Sequence, residues 1–487
     1  MNRTAPMTID QWRALSHRGR CRIVSRVRHE IAENCDELAT LCRSAQRQDL
    51  VDTVSGELIP LCAALKSLRH RGPRILRTRR HGIIGRPAWL WGVRSETQRV
   101  ARGDVLILAA WNYPILLPGV QMAQAIAAGN RVFLKPAPGC EAVTRRLVEL
   151  YIAAGVPACT LELIDSSTQA AVDRIDQGVN LVVLTGASST GRAVMRRCAE
   201  KLTPTILELS GNDAVIIGPG ADLKKVAQAV RFGLMFNSGA TCIGPRRLIV
   251  AEALKTPLAE HLRQEFADCQ PVTVHPAALA SVTRAVDETL KRGGTNLIAV
   301  AHTSGVSPID SSSPPQKLPP TIFGDVRADW SIANSDLFAP VASMITYRDD
   351  AEAIEMVNRC AYRLAASVFG STRWATSIAE RLDVGTVTIN DLIFPTADPR
   401  LSFGGRGESG FGVTRGDEGL LQMTVPKVIA KHRGRLYLHL AKRKPGDLDT
   451  LAGALTLTHG RLRQKALALR RILAGVKFNG SRRTPAD

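Results

Sequence analysis

The chain is short of acidic residues and of any cysteine or histidine pattern that holds a metal. Asp and Glu number 44 against 64 Lys and Arg, which leaves a formal charge of +20. That balance favours anionic partners such as nucleotides, acidic lipid surfaces or nucleic acid, without choosing among them. The ten cysteines, at 21, 35, 42, 62, 140, 159, 198, 242, 269 and 360, include no CxxC pair. With no histidine cluster at ligand spacing, a zinc site and a disulfide framework are both argued against, and no metal is expected. The first twenty residues hold no apolar run of signal-peptide length. The expectation is therefore a cytoplasmic protein with reduced thiols. Nor is there an uninterrupted membrane span: 105–130 lacks charge, but Pro114 and Pro118 break it and Asn112, Gln121 and Gln124 would lack partners in lipid. A buried strand, a turn and a helix are predicted there. No internal repeat is visible.

What is present is an ordinary globular composition, 45% hydrophobic and 22% charged over 487 residues, enough for two or three domains. Residues 8–70 predict two or three amphipathic helices, a scaffold. From 104 onward, apolar runs alternate with helical stretches: "DVLILAA", "QMAQAIAAG", "RVFLKP", "AVTRRLVELYIAAG", "NLVVLTG", "GRAVMRRCAEKL". That is the rhythm of a parallel sheet with crossover helices. A second run, from "AVIIG" through "RRLIVA" and "ASMITY" to "GTVTIN", implies a second α/β domain. "HTSGVSPIDSSSPPQKLPP" is predicted as a surface loop. After "VPKV" the chain turns basic, and "GRLRQKALALRRILAGVKF" predicts a cationic amphipathic helix.

Four segments carry the chemistry: "AWNYP" with Asn112, "RVFLKPAP" with Lys135, "LTPTILELSG" with Glu208 and "NSGATC" with Cys242. Taken singly each has a plain reading, for a free cysteine is usually a small buried hydrophobe and an Asn before Tyr-Pro a turn residue. Together and in this order they resemble the aldehyde dehydrogenase superfamily, in particular its short dimeric fatty and aromatic aldehyde dehydrogenases. The resemblance continues through "PPTIFGDV", "SDLFAPV" and "FGGRGESGFG", over roughly residues 20–427.

The resemblance implies two doubly wound α/β domains with a small oligomerisation segment. Residues 1–207 would bind NAD or NADP, with a hairpin near 85–103 for subunit contact, and 208–395 would form the catalytic domain. A Gly-rich segment and oligomerisation strand would occupy 396–427, and a basic tail 428–487. It also implies Cys242 as nucleophile, Asn112 and the Cys242 amide as oxyanion donors, and Glu208 as the base for deacylation. The residue chemistry agrees, since an aldehyde gives up hydride readily only from a tetrahedral adduct, which a thiolate makes and paired N–H donors stabilise. This division of labour takes Cys242 to reach its thiolate without Glu208. Cofactor contacts would come from Lys135, Gly186, Ser188, Gly191, Asp336, Phe338 and Trp111. The Gly-rich turn "LTGASSTGRAV" suits a phosphate at a helix N-terminus.

Several positions depart from the family. Ala187 and Ser188 stand for its usual Ser-Thr, Pro138 for the Glu after Lys-Pro-x, and Asp336 and Ala339 for the Glu and Gly of Glu-x-Phe-Gly-Pro. The "GGRGESG" stretch fits G-x-G-x-x-G literally, but no βαβ helix follows and it is not taken as a dinucleotide fingerprint. The expected partners are an aldehyde, a second copy of the chain and, through the basic tail, an acidic membrane surface; no specific nucleic acid is expected. Two other readings are a CoA-acylating dehydrogenase or acyl reductase, and an inactive anion- or membrane-binding protein on the same scaffold.

Overall fold

The computed structural model describes residues 7–298, 317–433 and 437–480. Residues 302–316 of the predicted surface loop lie outside these; Lys317–Leu318 pairs antiparallel with Val272–Thr273. The chain divides into two compact units, one of residues 1–78 and 98–427, the other of 79–97 and 428–487.

The first unit holds two mostly parallel sheets. In the six-stranded sheet the order is Gly410–Phe411, Thr205–Leu209, Leu181–Gly186, Asp104–Leu108, Arg131–Lys135, Leu161–Leu163. All pair in parallel except Gly410–Phe411, which lies antiparallel on Thr205–Leu209. Chain order reverses between Asp104–Leu108 and Leu181–Gly186, so the carboxyl ends of these two strands border the crevice where a doubly wound sheet takes its ligand. The apolar 105–130 stretch becomes the strand Asp104–Leu108 and the fully buried helix Leu116–Ala128.

The seven-stranded sheet runs Thr295–Asn296, Thr321–Gly324, Val341–Tyr347, Pro245–Ala251, Asp213–Ile217, Ala365–Phe369, Thr386–Ile389, with only the first strand antiparallel. Glu208 is the penultimate residue of the strand Thr205–Leu209, and three residues later Gly211 leads into the second sheet. Ahead of both sheets the predicted two or three helices are six, because capping residues punctuate them: Ser16 accepts from Gly19 N and Asp49 from Val51 N. They are also more than a scaffold, as shown below. Trp12 Nε1 donates to Ile126 O at 3.0 Å, anchoring this region to the central helix.

In the second unit Arg79–His81 pairs antiparallel with Val93–Ala101, which lies beside Thr424–His432. That last strand runs across residues 427 and 428. Asp447–His459 and Lys465–Gly480 form a helical hairpin, close because a Cβ on Gly453 would come within 2.6 Å of Ile472. Away from this seam Leu448, Leu451 and Leu455 are exposed on one helix and Leu469, Leu473 and Val476 on the other. Their spacing of three and four residues makes each set a continuous apolar stripe.

Candidate active site

A cavity of about 500 Å³ opens at the crevice between the carboxyl ends of the two central strands. Its walls include Trp111 and Asn112 after the first strand, Gly186 and Ala187 after the second, and Lys135, Glu208, Cys242, Asp336 and Phe338. Residues from six separate segments thus share one space, between 111 and 338.

Asn112 is fixed on both its groups. Its side-chain amide donates to Ala240 O at 2.9 Å, and its carbonyl accepts from Asn237 Nδ2 at 2.9 Å and from the Arg47 guanidinium. Arg47 is itself paired with Glu57, and the two are 7% and 0% exposed. The second Glu57 oxygen accepts from Ile115 N at 2.7 Å and Leu116 N at 2.9 Å, closing the N-terminus of the central helix. Each buried charge has its partners, as burial requires. The thiol loop ties into the same network: Asp52 accepts from Asn237 N at 2.8 Å, and Tyr113 Oη lies 2.8 Å from Thr241 Oγ1.

The backbone before Cys242 is held in an unusual shape. Asn237 and Ser238 have φ of 51° and 54°, and Gly239 has φ 73°, where a Cβ would lie 2.6 Å from Pro340 N. Only glycine fits there. Buried Arg246 stabilises the turn by donating to Gly239 O at 2.5 Å, Thr241 O at 3.2 Å and Ala339 O at 2.6 Å. Cys242 is partly exposed and packs on a cluster of Ile243, Leu364, Ala365 and Phe403.

Glu208 is 3% exposed, and Thr414 donates to its Oε2 at 2.8 Å. Its Oε1 has no partner among the described residues. Burial pushes this carboxyl above the usual range, with Arg415 and Thr414 opposing. Burial also pushes the Cys242 thiol up, helped by Glu208 and Asp213 and opposed by Arg415. The division of labour expected from the sequence takes Cys242 to reach its thiolate without Glu208; here desolvation and the neighbouring Glu208 both disfavour the thiolate.

The cofactor-side residues divide. Lys135 lines the cavity with Nζ donating to Pro136 O at 2.9 Å, and burial pulls its pKa down. Asp336 also lines it, with Oδ1 lacking a partner among the described residues; burial raises its carboxyl against Ser210 and Arg246. Trp111 stacks on His275 at 4.1 Å and lies 6.3 Å from Phe338. Ser188 is different: its hydroxyl donates to Glu408 O at 2.7 Å, and the wall is made by Ala187 and Thr190. Gly191 is a packing glycine, since a Cβ there would meet Leu209 Cδ1 at 2.7 Å. Among the described residues no group of three or more His, Cys, Asp or Glu could hold a metal.

A family profile described as "Aldehyde dehydrogenase family" matches residues 2–429. The chain belongs to that family. The 4,4'-diapolycopene aldehyde oxidase of Methylomonas sp is 30% identical over 431 residues, 87% of this chain and 80% of that protein. Benzaldehyde dehydrogenase (NAD(+)) of Pseudomonas putida is 29% identical over 67% of each chain. Among solved structures, an E. coli NADP dependent enzyme superposes with TM-score 0.79 at 25% identity, covering 87% of this chain and 88% of that one.

In this aldehyde dehydrogenase the sequence motifs reach the residues of the cavity wall but miss what holds them. Arg47, between two helices, and Asp52 and Glu57, within them, come from the 8–70 region expected to be scaffold, and Arg246, His275 and Arg415 from segments without a motif. One signal was available: charged residues inside otherwise apolar helix faces, as at Glu57, need a buried partner.

Proposed function

We propose that the protein oxidises an aldehyde to a carboxylic acid with NAD+ or NADP+ through a covalent adduct on Cys242. The observation that carries this reading is the convergence of Cys242, Glu208 and Asn112 on one cavity, with Glu208 Oε1 left without a partner among the described residues. The orphaned, buried Asp336 Oδ1 and the Lys135 ammonium fit the hydroxyls of a dinucleotide's riboses, and Gly186 leaves room beside a helix N-terminus for its phosphates. A bound nicotinamide would supply the hydride acceptor.

The chain's own residues do the rest. The Cys242 thiol gives its proton to Glu208, and the sulfur attacks the carbonyl carbon, making a thiohemiacetal. The second N–H of the Asn112 amide, the first being held by Ala240 O, and the Cys242 amide stabilise its oxyanion. Collapse of the oxyanion expels hydride and leaves a thioester. Glu208 releases that proton to solvent and then takes one from water, whose oxygen attacks the acyl carbon; collapse expels the Cys242 thiolate, which regains the proton from Glu208 as the acid leaves. The test is reduced-cofactor absorbance on adding a panel of aliphatic and aromatic aldehydes, with and without CoA. Turnover without CoA supports hydrolysis. Dependence on CoA would favour the acylating reading, and silence across the panel the inactive scaffold.

The names of the relatives point to apolar aldehydes as the substrate class. We also infer a homodimer joined through the 79–97 and 424–432 strands: Thr424–His432 is an edge strand with Val428 and Ile429 exposed, a surface that needs covering. The helical hairpin we assign to an acidic bilayer surface, because its exposed leucines accompany fourteen Lys and Arg against three acids in residues 431–487.

A further inference from the structure

Arg415 brings a cation to the reacting groups, and no family motif led to it. Its backbone has φ 59°, just before the helix Gly416–Gln422. Nη1 donates to Thr396 O at 3.1 Å, and the guanidinium lies 4.3 Å over the Phe403 ring, part of the cluster on which Cys242 packs. Its neighbour Thr414 holds Glu208 Oε2. Nε is buried with no partner among the described residues, and no carboxylate there lies within ion-pair distance of Arg415.

The surrounding charges are otherwise committed. Arg47 is paired with Glu57, and Arg246 donates to three carbonyls while facing Asp213 and Asp336. Arg247 bonds the carbonyls of Asn212 and Met356. The titratable groups that interact with Arg415 are Glu208, Cys242 and Tyr113, and Asp213 interacts with the thiol. Burial pushes the Asp213 carboxyl up to about 8, opposed by the Ala365 amide, Arg247 and Arg246.

We infer that Arg415 is a positioning residue for the proposed reaction, the counter-charge that lets the buried Glu208 and Cys242 together hold one negative charge. This inference rests on the proposed function and deepens it. Two desolvated, electrostatically interacting acids on one cavity wall do not readily both ionise, and a nearby cation is needed to hold one anion between them. One fixed guanidinium compensates one anion, and that anion can sit at either place. On Glu208 it is the base that attacks a proton of water; after the S–H proton has moved to Glu208, it is the thiolate. A guanidinium keeps its charge throughout.

The test follows iodoacetamide alkylation of Cys242 against pH, read by peptide mass spectrometry to distinguish it from the other nine cysteines, with melting temperature as control. Arg415→Gln should raise the midpoint of alkylation by about one pH unit and slow it about tenfold at pH 7. Arg415→Lys should restore most of the rate. Glu208→Gln, which leaves Arg415 intact, should lower the midpoint, since the guanidinium then faces the thiol alone. If the midpoint is unchanged in Arg415→Gln, Arg415 only braces the Thr396 turn and the inference fails. Should Arg415→Gln not fold, an unshifted or raised midpoint in Glu208→Gln overturns the inference equally. The assay contains neither aldehyde nor cofactor, so it can fail while turnover through Cys242 stands. Turnover surviving Cys242→Ala would sink the proposed function and leave the titration untouched.

Discussion

Thr414 donates its hydroxyl to one oxygen of Glu208 at 2.8 Å, and the other oxygen has no partner among the described residues. The bond favours the ionised carboxylate, against the burial that raises it. Thr414→Val keeps the shape and removes the donor, worth about 1.5–3 kcal/mol to a charged acceptor. Because the base must be ionised, activity falls as pH drops through its pKa, and the variant's acid limb should move about one pH unit higher. A kcat profile that keeps its limb would show that Thr414 does not act on Glu208.

The two proposed acids of the reaction should fail differently. Cys242→Ala should yield no reduced cofactor even in a single turnover. Glu208→Gln should give a slower burst near one per active site, the thiol proton now going to solvent under the Arg415 charge, and then a slow steady state. Loss of the burst at an unchanged melting temperature would make Glu208 the obligatory acceptor of the thiol proton.

Pro138 lines the cavity where the family usually carries a glutamate, so no carboxylate there repels a 2′-phosphate, and Lys135 stands nearby on the same wall. NADP+ should therefore be used as well as NAD+. A kcat/KM ratio favouring NAD+ by more than about a hundredfold, roughly 2.7 kcal/mol, would mean that other residues exclude the phosphate.

Breaking the Arg47–Glu57 pair should cost about 3–5 kcal/mol, because either partner alone is a stranded buried charge. Urea denaturation of Glu57→Ala is the measurement. A loss below about 1 kcal/mol would show the site relaxing around the change.

Removing residues 445–487 takes away the helical hairpin and leaves the Thr424–His432 strand whole. Sedimentation with acidic liposomes at low salt should drop, while neutral liposomes bind neither form. Equal sedimentation of both proteins on acidic liposomes would count against a membrane role for the hairpin.

Much of this was legible beforehand. Buried parallel strands announce themselves as short apolar runs, and Asn112, Glu208 and Cys242 sit in local stretches whose order along the chain identifies them. Ser188 and Gly191 have the local form of a Gly-rich turn before a helix; that the Ser188 hydroxyl donates to Glu408 O and that Gly191 packs against Leu209 is not written in that turn. Arg47 meets Asn112 across 65 residues, and Arg415 approaches Glu208 across more than two hundred, beyond the reach of any periodicity. The thiol's protonation likewise depends on burial, which a sequence does not display.

The strand that Gly410–Phe411 adds beside Glu208 comes from nearly the end of the enzyme domain. A ribosome has therefore made every parallel strand of both large sheets before Glu208 acquires these neighbours. Until residues 410–415 emerge, Glu208 borders an open edge, with neither the Thr414 hydroxyl nor the Arg415 charge. Contacts of such long sequence separation form slowly. A chain ending before residue 410 would carry Cys242 and Glu208 without the Thr414 hydroxyl or the Arg415 guanidinium.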